Sequence, residues 1–430
     1  MTHPTLPLEG IALDRARTRA RRSLVVGVAL GSTGHIAAVT VATIVAQDLL
    51  GSGTLAGAPG ASVVLGAALG AVSLSALMAR RGRRIGLAAG YAIGVFGALL
   101  ATAAVLTRSF PLLLIGTTFI GFGNSSNQLS RYAAADMAPA ARRATAIGTV
   151  VWAATVGSVV GPQLVPIASD LAVRAGLPGL AGPYFVPIIF VGIAAILSFV
   201  LLRPDPYELA DRMSIEETEA AASAPREPLR EIVRRPGVIA AIVALVVGQF
   251  VMTLIMTMTP LHMTQHGHSL GAVGAVLSAH TLGMFALSPV SGRLTERFGP
   301  IRTIFLGTAI LALSAVLAAG APPSGGDILF VALFLLGFGW NLGFVAGSSL
   351  LSEHLEIHER TRIQGLADAL IWSTAAAASL GSGVIMAFAG YTALGVLGAG
   401  AVLIPVFTLR AHRHALGHAH VDADPEAALP

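Results

Sequence analysis

The sequence predicts an all-α membrane protein whose twelve transmembrane helices form two six-helix bundles, one a pseudo-repeat of the other. Three observations predict it. The 430 residues are 54% hydrophobic and only 11% charged, roughly half the charged share usual in a soluble domain. Apolar runs of about 20 residues, the length that crosses about 30 Å of hydrocarbon, recur twelve times: at 23–47, 60–79, 85–107, 111–130, 144–165, 183–202, 237–261, 270–291, 301–320, 327–350, 365–388 and 391–409. One long hydrophilic stretch, residues 203–236, divides the runs six and six.

The elements follow from the punctuation between the runs. Residues 1–22 form a basic N-terminal segment ending in Arg21 and Arg22. No small-residue cleavage pattern follows it, so the first apolar run is expected to stay as a helix. The first bundle is expected over 23–202, the linker over 203–236, the second bundle over 237–409 and a His-containing tail over 410–430. All 27 basic residues are Arg. Threading the chain from a cytoplasmic N-terminus puts 25 of them in inside segments, Arg131, Arg142 and Arg143 after the fourth run among them, and leaves only Arg108 and Arg174 outside. The positive-inside rule therefore predicts both termini in the cytoplasm and a multi-pass protein of the plasma (inner) membrane. A nucleic-acid function is excluded, because the arginines are scattered over turns with no aromatic platform beside them. With no Cys, disulfides and thiolate metal sites are excluded too.

The two halves echo one another. Gly-Phe-Gly at 121–123 in the fourth run recurs at 337–339 in the tenth, and Arg143 precedes Gly148 by the same five residues that separate Arg360 from Gly365. Repeated halves around a midplane cavity are the plan of many secondary transporters. Over nearly its whole length the chain resembles the major facilitator superfamily. The turn GRLTERFGPIR at 292–302 is similar to that family's cytoplasmic gating motif, which implies gating roles for Gly292, Glu296, Arg297 and Gly299. The first-half copy, SALMARRGRR at 75–84, carries Ala79 where the motif has Asp. Gly148, Gly157, Gly161 and Pro162 in the fifth run fit the spacing of the family's antiporter motif, although small residues there also serve plain helix packing.

Five of the ten Met and four of the twelve His crowd between 252 and 284. Met252, Met256 and Met263 stand at i, i+4 and i+11, on one helical face as far as Pro260 lets the helix continue. In the next run His280 and Met284 stand at i and i+4. Thioether sulfur selects Cu(I) and imidazole suits copper as well, whereas hard cations want oxygen. An imidazole inside a membrane span is a functional candidate by default. His262, His266 and His268, with Met263, fall at the outer mouth, where they would funnel a metal inwards. Methionine is also ordinary gap-filling core. MxxxM followed by HxxxM resembles the CcoA-like copper transporter family. The resemblance implies Met252, Met256, His280 and Met284 as the copper-carrying set. It also implies copper as cargo with no permanently bound cofactor, and a cytoplasmic copper acceptor as partner.

Other signals carry less. Gly-His-Ser-Leu-Gly at 267–271 matches a nucleophile pattern but sits between two spans, with no strand before Ser269; no enzyme is expected. His354 and His358 lack the zinc-protease order. His412, His414, His418 and His420 in the tail are candidates for metal reception. His35, Asn124, Asn127, Gln128, Gln249, Asn341 and Asp368 are polar at membrane depth and are expected to face a cavity or another helix; His35 and Asp368 are the candidates for proton coupling. The sequence predicts a transporter importing copper, as Cu(I) or a complex. A cation entering an inside-negative cell gains about 2.3 kcal/mol per 100 mV. The alternatives are an importer of an organic solute such as a flavin, an exporter of drugs or metabolites, and a non-transporting metal sensor.

Overall fold

The computed structural model describes residues 11–51, 55, 57–211, 227–322 and 325–411, and these are helical nearly throughout. The start of the N-terminal segment, the middle of the linker and the His-bearing tail lie outside the described residues. Among the described residues nine helical segments are long and apolar enough to cross a membrane. Two of the nine each make two crossings, because each is folded at a glycine of positive φ, Gly82 at 86° and Gly390 at 77°. The helix Phe110–Asp136 adds another. It falls outside the nine because Asn124, Ser125, Ser126, Asn127 and Arg131 dilute its apolar sequence. The described residues thus supply the twelve expected crossings.

The first half comprises α1 (Ile11–Leu50), α2 (Ala58–Leu106), α3 (Phe110–Asp136), α4 (Arg143–Arg174) and α5 (Phe185–Leu201). Helix α1 begins well before the apolar run and takes in Arg15 to Arg22, since Arg and Ala both favour helix. The two arms of α2 are antiparallel: Met78 packs at Gly86 and Leu74 at Gly90. Gly82 supplies the left-handed residue of that turn, and a Cβ there would collide with the Asp205 carboxylate. Asp205 instead accepts backbone N–H bonds from Arg83 at 3.0 Å and Arg84 at 2.9 Å, neutralising the start of the second arm. Short helices α6 (Pro206–Asp211) and α7 (Leu229–Arg234) flank the undescribed part of the linker.

The second half comprises α8 (Pro236–Met256), α9 (Thr259–Gln265), α10 (Leu270–Phe285), α11 (Ser288–Phe298), α12 (Pro300–Gly320), α13 (Gly326–Glu353), α14 (Ile357–Ala401) and α15 (Leu403–Ala411). Two of the spans are interrupted. The seventh breaks between Met256 and Thr259, next to Pro260, and the eighth between Phe285 and Ser288, next to Pro289. Each proline lacks the N–H that would continue the ladder.

The freed groups at the second break are satisfied by side chains. Asn341 on α13 donates to the Met284 carbonyl at 2.6 Å and to Ser288 Oγ at 2.7 Å, and accepts from Ser291 Oγ at 2.5 Å. Ser288 Oγ donates in turn to the Phe285 carbonyl. Such breaks are tolerated at membrane depth only where protein re-satisfies the backbone.

The halves meet along two seams related by the repeat. Helix α2 packs against α14, and α4 against α11. Gly365 lies on Ser75 in the first seam, and Gly148 on the Ser288 carbonyl in the second. These close approaches explain the matched glycines: no side chain fits between backbones at such separations.

Candidate functional site

A cavity of about 190 Å3 lies between the halves. The first half contributes His35 from α1 and Asn124, Asn127 and Gln128 from α3; the second contributes Phe285, Phe344 and Trp372. The first-half wall thus sets amides and an imidazole among the aliphatic Val28, Ile36, Val150, Val151 and Ala154, while the second-half wall is aromatic. The amides are pre-oriented. Tyr91 donates to Asn127 Oδ1 at 2.9 Å, and Asn127 Nδ2 donates to Asn124 Oδ1 at 2.8 Å. His35 Nδ1 is buried without a hydrogen-bond partner among the described residues.

The cavity floor is charged. Arg131, which the sequence placed in a solvated turn, is 1% exposed; its Nη2 meets Asp368 Oδ1 at 2.5 Å and its Nε donates to Ser348 Oγ. That expectation is corrected because α3 continues to Asp136, which brings Arg131 more than a turn inside the helix end. The guanidinium lies between the rings of Tyr132 and Phe344, 4.2 Å from each centroid. Phe344 stacks on Trp340 at 4.5 Å, and Trp340 Nε1 donates to Gln249. Asp368, the second proton-coupling candidate, is thus the partner of Arg131 across the two halves.

Below this floor, towards the arginine-bearing end, Arg83 bridges Asp136 at 2.7 Å and donates to Gln364 at 2.6 Å, while Arg360 approaches Asp136 at 3.5 Å. Glu296 accepts from the backbone N–H of Thr145 at 2.8 Å, at the start of α4. A carboxylate at a helix N-terminus is favourable. Gly292 gives the room for this contact, since a Cβ would stand 2.7 Å from the Ala144 carbonyl oxygen. Gly299 has φ 82°, and the Arg297 guanidinium lies over Phe298. In this structure the arginine-bearing end is clasped shut.

The Met and His residues are placed differently from one another. Met252 and Met263 are buried in the main apolar core, and Met256, Met258 and Met284 pack against it. Helices α8 and α10 each pack along α13 and barely touch one another. His280 on α10 is buried, with Nδ1 at 3.0 Å from the Leu333 carbonyl of α13 and Nε2 without a hydrogen-bond partner among the described residues. At the far end His262 stacks on Tyr391 at 4.2 Å and tilts against His266 at 4.4 Å, while His268 lies close to Gly326. Among the described residues no three His, Cys, Asp or Glu side chains converge as a metal-holding group.

Sequence reasoning missed Arg131, Arg83 and the cavity aromatics. The last gave no signal because Phe285, Phe344 and Trp372 come from three separate helices.

Two helical bundles clasped at one end around a small, mainly apolar cavity with a few polar groups define a membrane carrier of small solutes rather than an enzyme. The chain belongs to the Major Facilitator Superfamily, which it matches over residues 23–379 and again over 244–423. It is 38% identical over 378 residues to the MFS-type transporter YdeG of Bacillus subtilis, covering 87% of this chain and 88% of that one. It is 32% identical over 379 residues to the riboflavin transporter RfnT of Brucella anthropi, covering 87% and 91%. Among solved structures, the human organic anion transporter MFSD10 superposes with a TM-score of 0.71 over 91% of this chain and 99% of that one, at 16% identity.

Proposed function

We propose that the chain carries a planar heteroaromatic solute of the flavin class into the cytoplasm by alternating access. The observation that carries this reading is the cavity's division into an aromatic wall of Phe285, Phe344 and Trp372 and a wall of amides with His35. Stacking on an aromatic ring such as Trp372 contributes about 0.5–1.5 kcal/mol beyond its burial, while amides match the carbonyl and N–H edge of a flavin-like ring. The riboflavin transporter among the relatives supports the same solute class. At about 190 Å3 the cavity is smaller than the ~300 Å3 at which drug-sized sites begin, so binding requires the halves to part. The arginine distribution supports a cytoplasmic position for the clasped end in the inner membrane. The state described here is then closed to the cytoplasm.

Copper import through Met252, Met256, His280 and Met284 is a second reading, favoured by the buried His280 Nε2, which has no hydrogen-bond partner among the described residues. Its weakness is that α13 packs against both ligand-bearing helices and these scarcely meet. Proteoliposomes separate the two. Uptake of labelled riboflavin is expected to saturate, with KM raised roughly two- to tenfold by Trp372→Ala and unchanged by Met252→Leu with Met256→Leu. Copper uptake abolished by the methionine pair, with no riboflavin uptake by the unaltered protein, would replace the flavin reading with the copper one.

A further inference from the structure

A groove of about 630 Å3 opens between the start of α1 and the end of α5, at the arginine-bearing end and away from the central cavity. Its rim carries Arg15, Arg19 and Arg22, and its wall Val26, Leu197 and Leu201. The three arginines stand at i, i+4 and i+7, on one face of α1, and all three are exposed. Arg19 donates to the Arg203 carbonyl, fastening the two helix ends together. Arg84 and Arg203 lie over the Phe199 ring at 5.2 and 5.6 Å, adding two guanidinium groups near the same rim.

Among the described residues the charge there is not balanced by ion pairs. Arg235, at the start of α8 in the second half, is held by Glu359 at 2.7 Å and Glu227 at 2.9 Å. Among the described residues Arg15 and Arg22 meet no carboxylate. Below the rim the surface turns apolar, with Val26 46%, Ile196 64% and Val200 52% exposed. The depth is right for a bilayer interface. From Arg15 to Val26 the helix rises roughly 16 Å at 1.5 Å per residue, so the arginines sit at headgroup level when the apolar wall meets acyl chains.

We infer that this groove binds one anionic glycerophospholipid, its phosphate held by Arg15, Arg19 and Arg22 and its acyl chains laid along Val26, Leu197 and Leu201. Guanidinium groups recognise phosphate by paired N–H donors. Basic pockets between spanning helices on the cytoplasmic side suit such headgroups. A soluble anion would leave the apolar wall unused, and a neutral lipid would leave the arginines unmatched.

The test uses the full chain purified in detergent and native mass spectrometry with dioleoylphosphatidylglycerol, dioleoylphosphatidylcholine and inorganic phosphate. The unaltered protein is expected to retain phosphatidylglycerol in preference to phosphatidylcholine. The triple variant Arg15→Gln, Arg19→Gln, Arg22→Gln should weaken that retention by on the order of a hundredfold, from the roughly fivefold per basic residue that surface attraction provides. Arg80→Gln with Arg81→Gln, exposed arginines at the same end, should leave it near wild type. Leu197→Trp, which fills the wall and spares every arginine, should also displace the lipid, and it guards against misfolding of the triple variant. Equal retention of the two lipids, unchanged retention by the triple variant, or displacement of phosphatidylglycerol by inorganic phosphate would overturn the assignment.

Discussion

Asp368→Asn removes the carboxylate charge that faces Arg131 in a site where the two side chains are 2% and 1% exposed. Breaking a buried pair by neutralising one partner costs about 3–5 kcal/mol, because a charge is left without compensation. That cost falls on the clasped state. Once the halves separate at the arginine-bearing end, water reaches Arg131 and the penalty is relieved. At 1.36 kcal/mol per decade, the equilibrium moves towards the open-at-arginines state by roughly two to four orders of magnitude at most. The chain has no cysteine, so a single reporter is clean. Ser75→Cys, buried at 2% against Gly365 in the α2–α14 seam, should react slowly with maleimide in the parent background and at least tenfold faster, on the order expected from that shift, once Asp368→Asn is added. Replacing both partners with apolar residues, Arg131→Met with Asp368→Leu, should recover most of the thermal stability that Asp368→Asn loses. Equal maleimide rates with and without Asp368→Asn would show that the pair does not hold this end closed.

Asn341→Ala leaves the Met284 carbonyl at the break of the eighth span without its donor, and a loss of about 1–3 kcal/mol is expected, read as lowered thermal stability in detergent; an unchanged midpoint would mean that water replaces the amide. Gly337→Val puts a Cβ against the His280 carbonyl and within 2.9 Å of Met284 N, so overpacking of about 1–3 kcal/mol should lower the folded membrane fraction in a fluorescence-detected size-exclusion assay. Glu296→Gln removes the carboxylate charge from the start of α4; at about 0.3–1 kcal/mol, maleimide labelling of the Ser75→Cys reporter should rise only about two- to fivefold, well short of the Asp368→Asn effect.

The sequence by itself determined what depends on local pattern and solvent. Twelve apolar runs, a hydrophilic divider and the one-sided arginines required a helical membrane protein of two halves, because backbone groups in hydrocarbon must be bonded within each helix. It also pointed to His35, Asn124, Asn127 and Gln128, since polar groups at that depth need a cavity or a partner. The breaks were half legible: Pro260 announced one, while the satisfaction of the other by Asn341 required a residue more than fifty positions away.

Tertiary structure alone decided which groups meet. Arg131 reads locally as one more turn arginine, and only the seam between α3 and α14 pairs it with Asp368. The aromatic wall is assembled from residues of α10, α13 and α14, which no spacing rule connects. Helical periodicity put Met252 with Met256, and His280 with Met284, on shared faces within each span. It could not show that α13 packs against both spans and that they scarcely touch, because periodicity fixes a side chain's direction on its own helix and leaves the neighbouring helix unspecified.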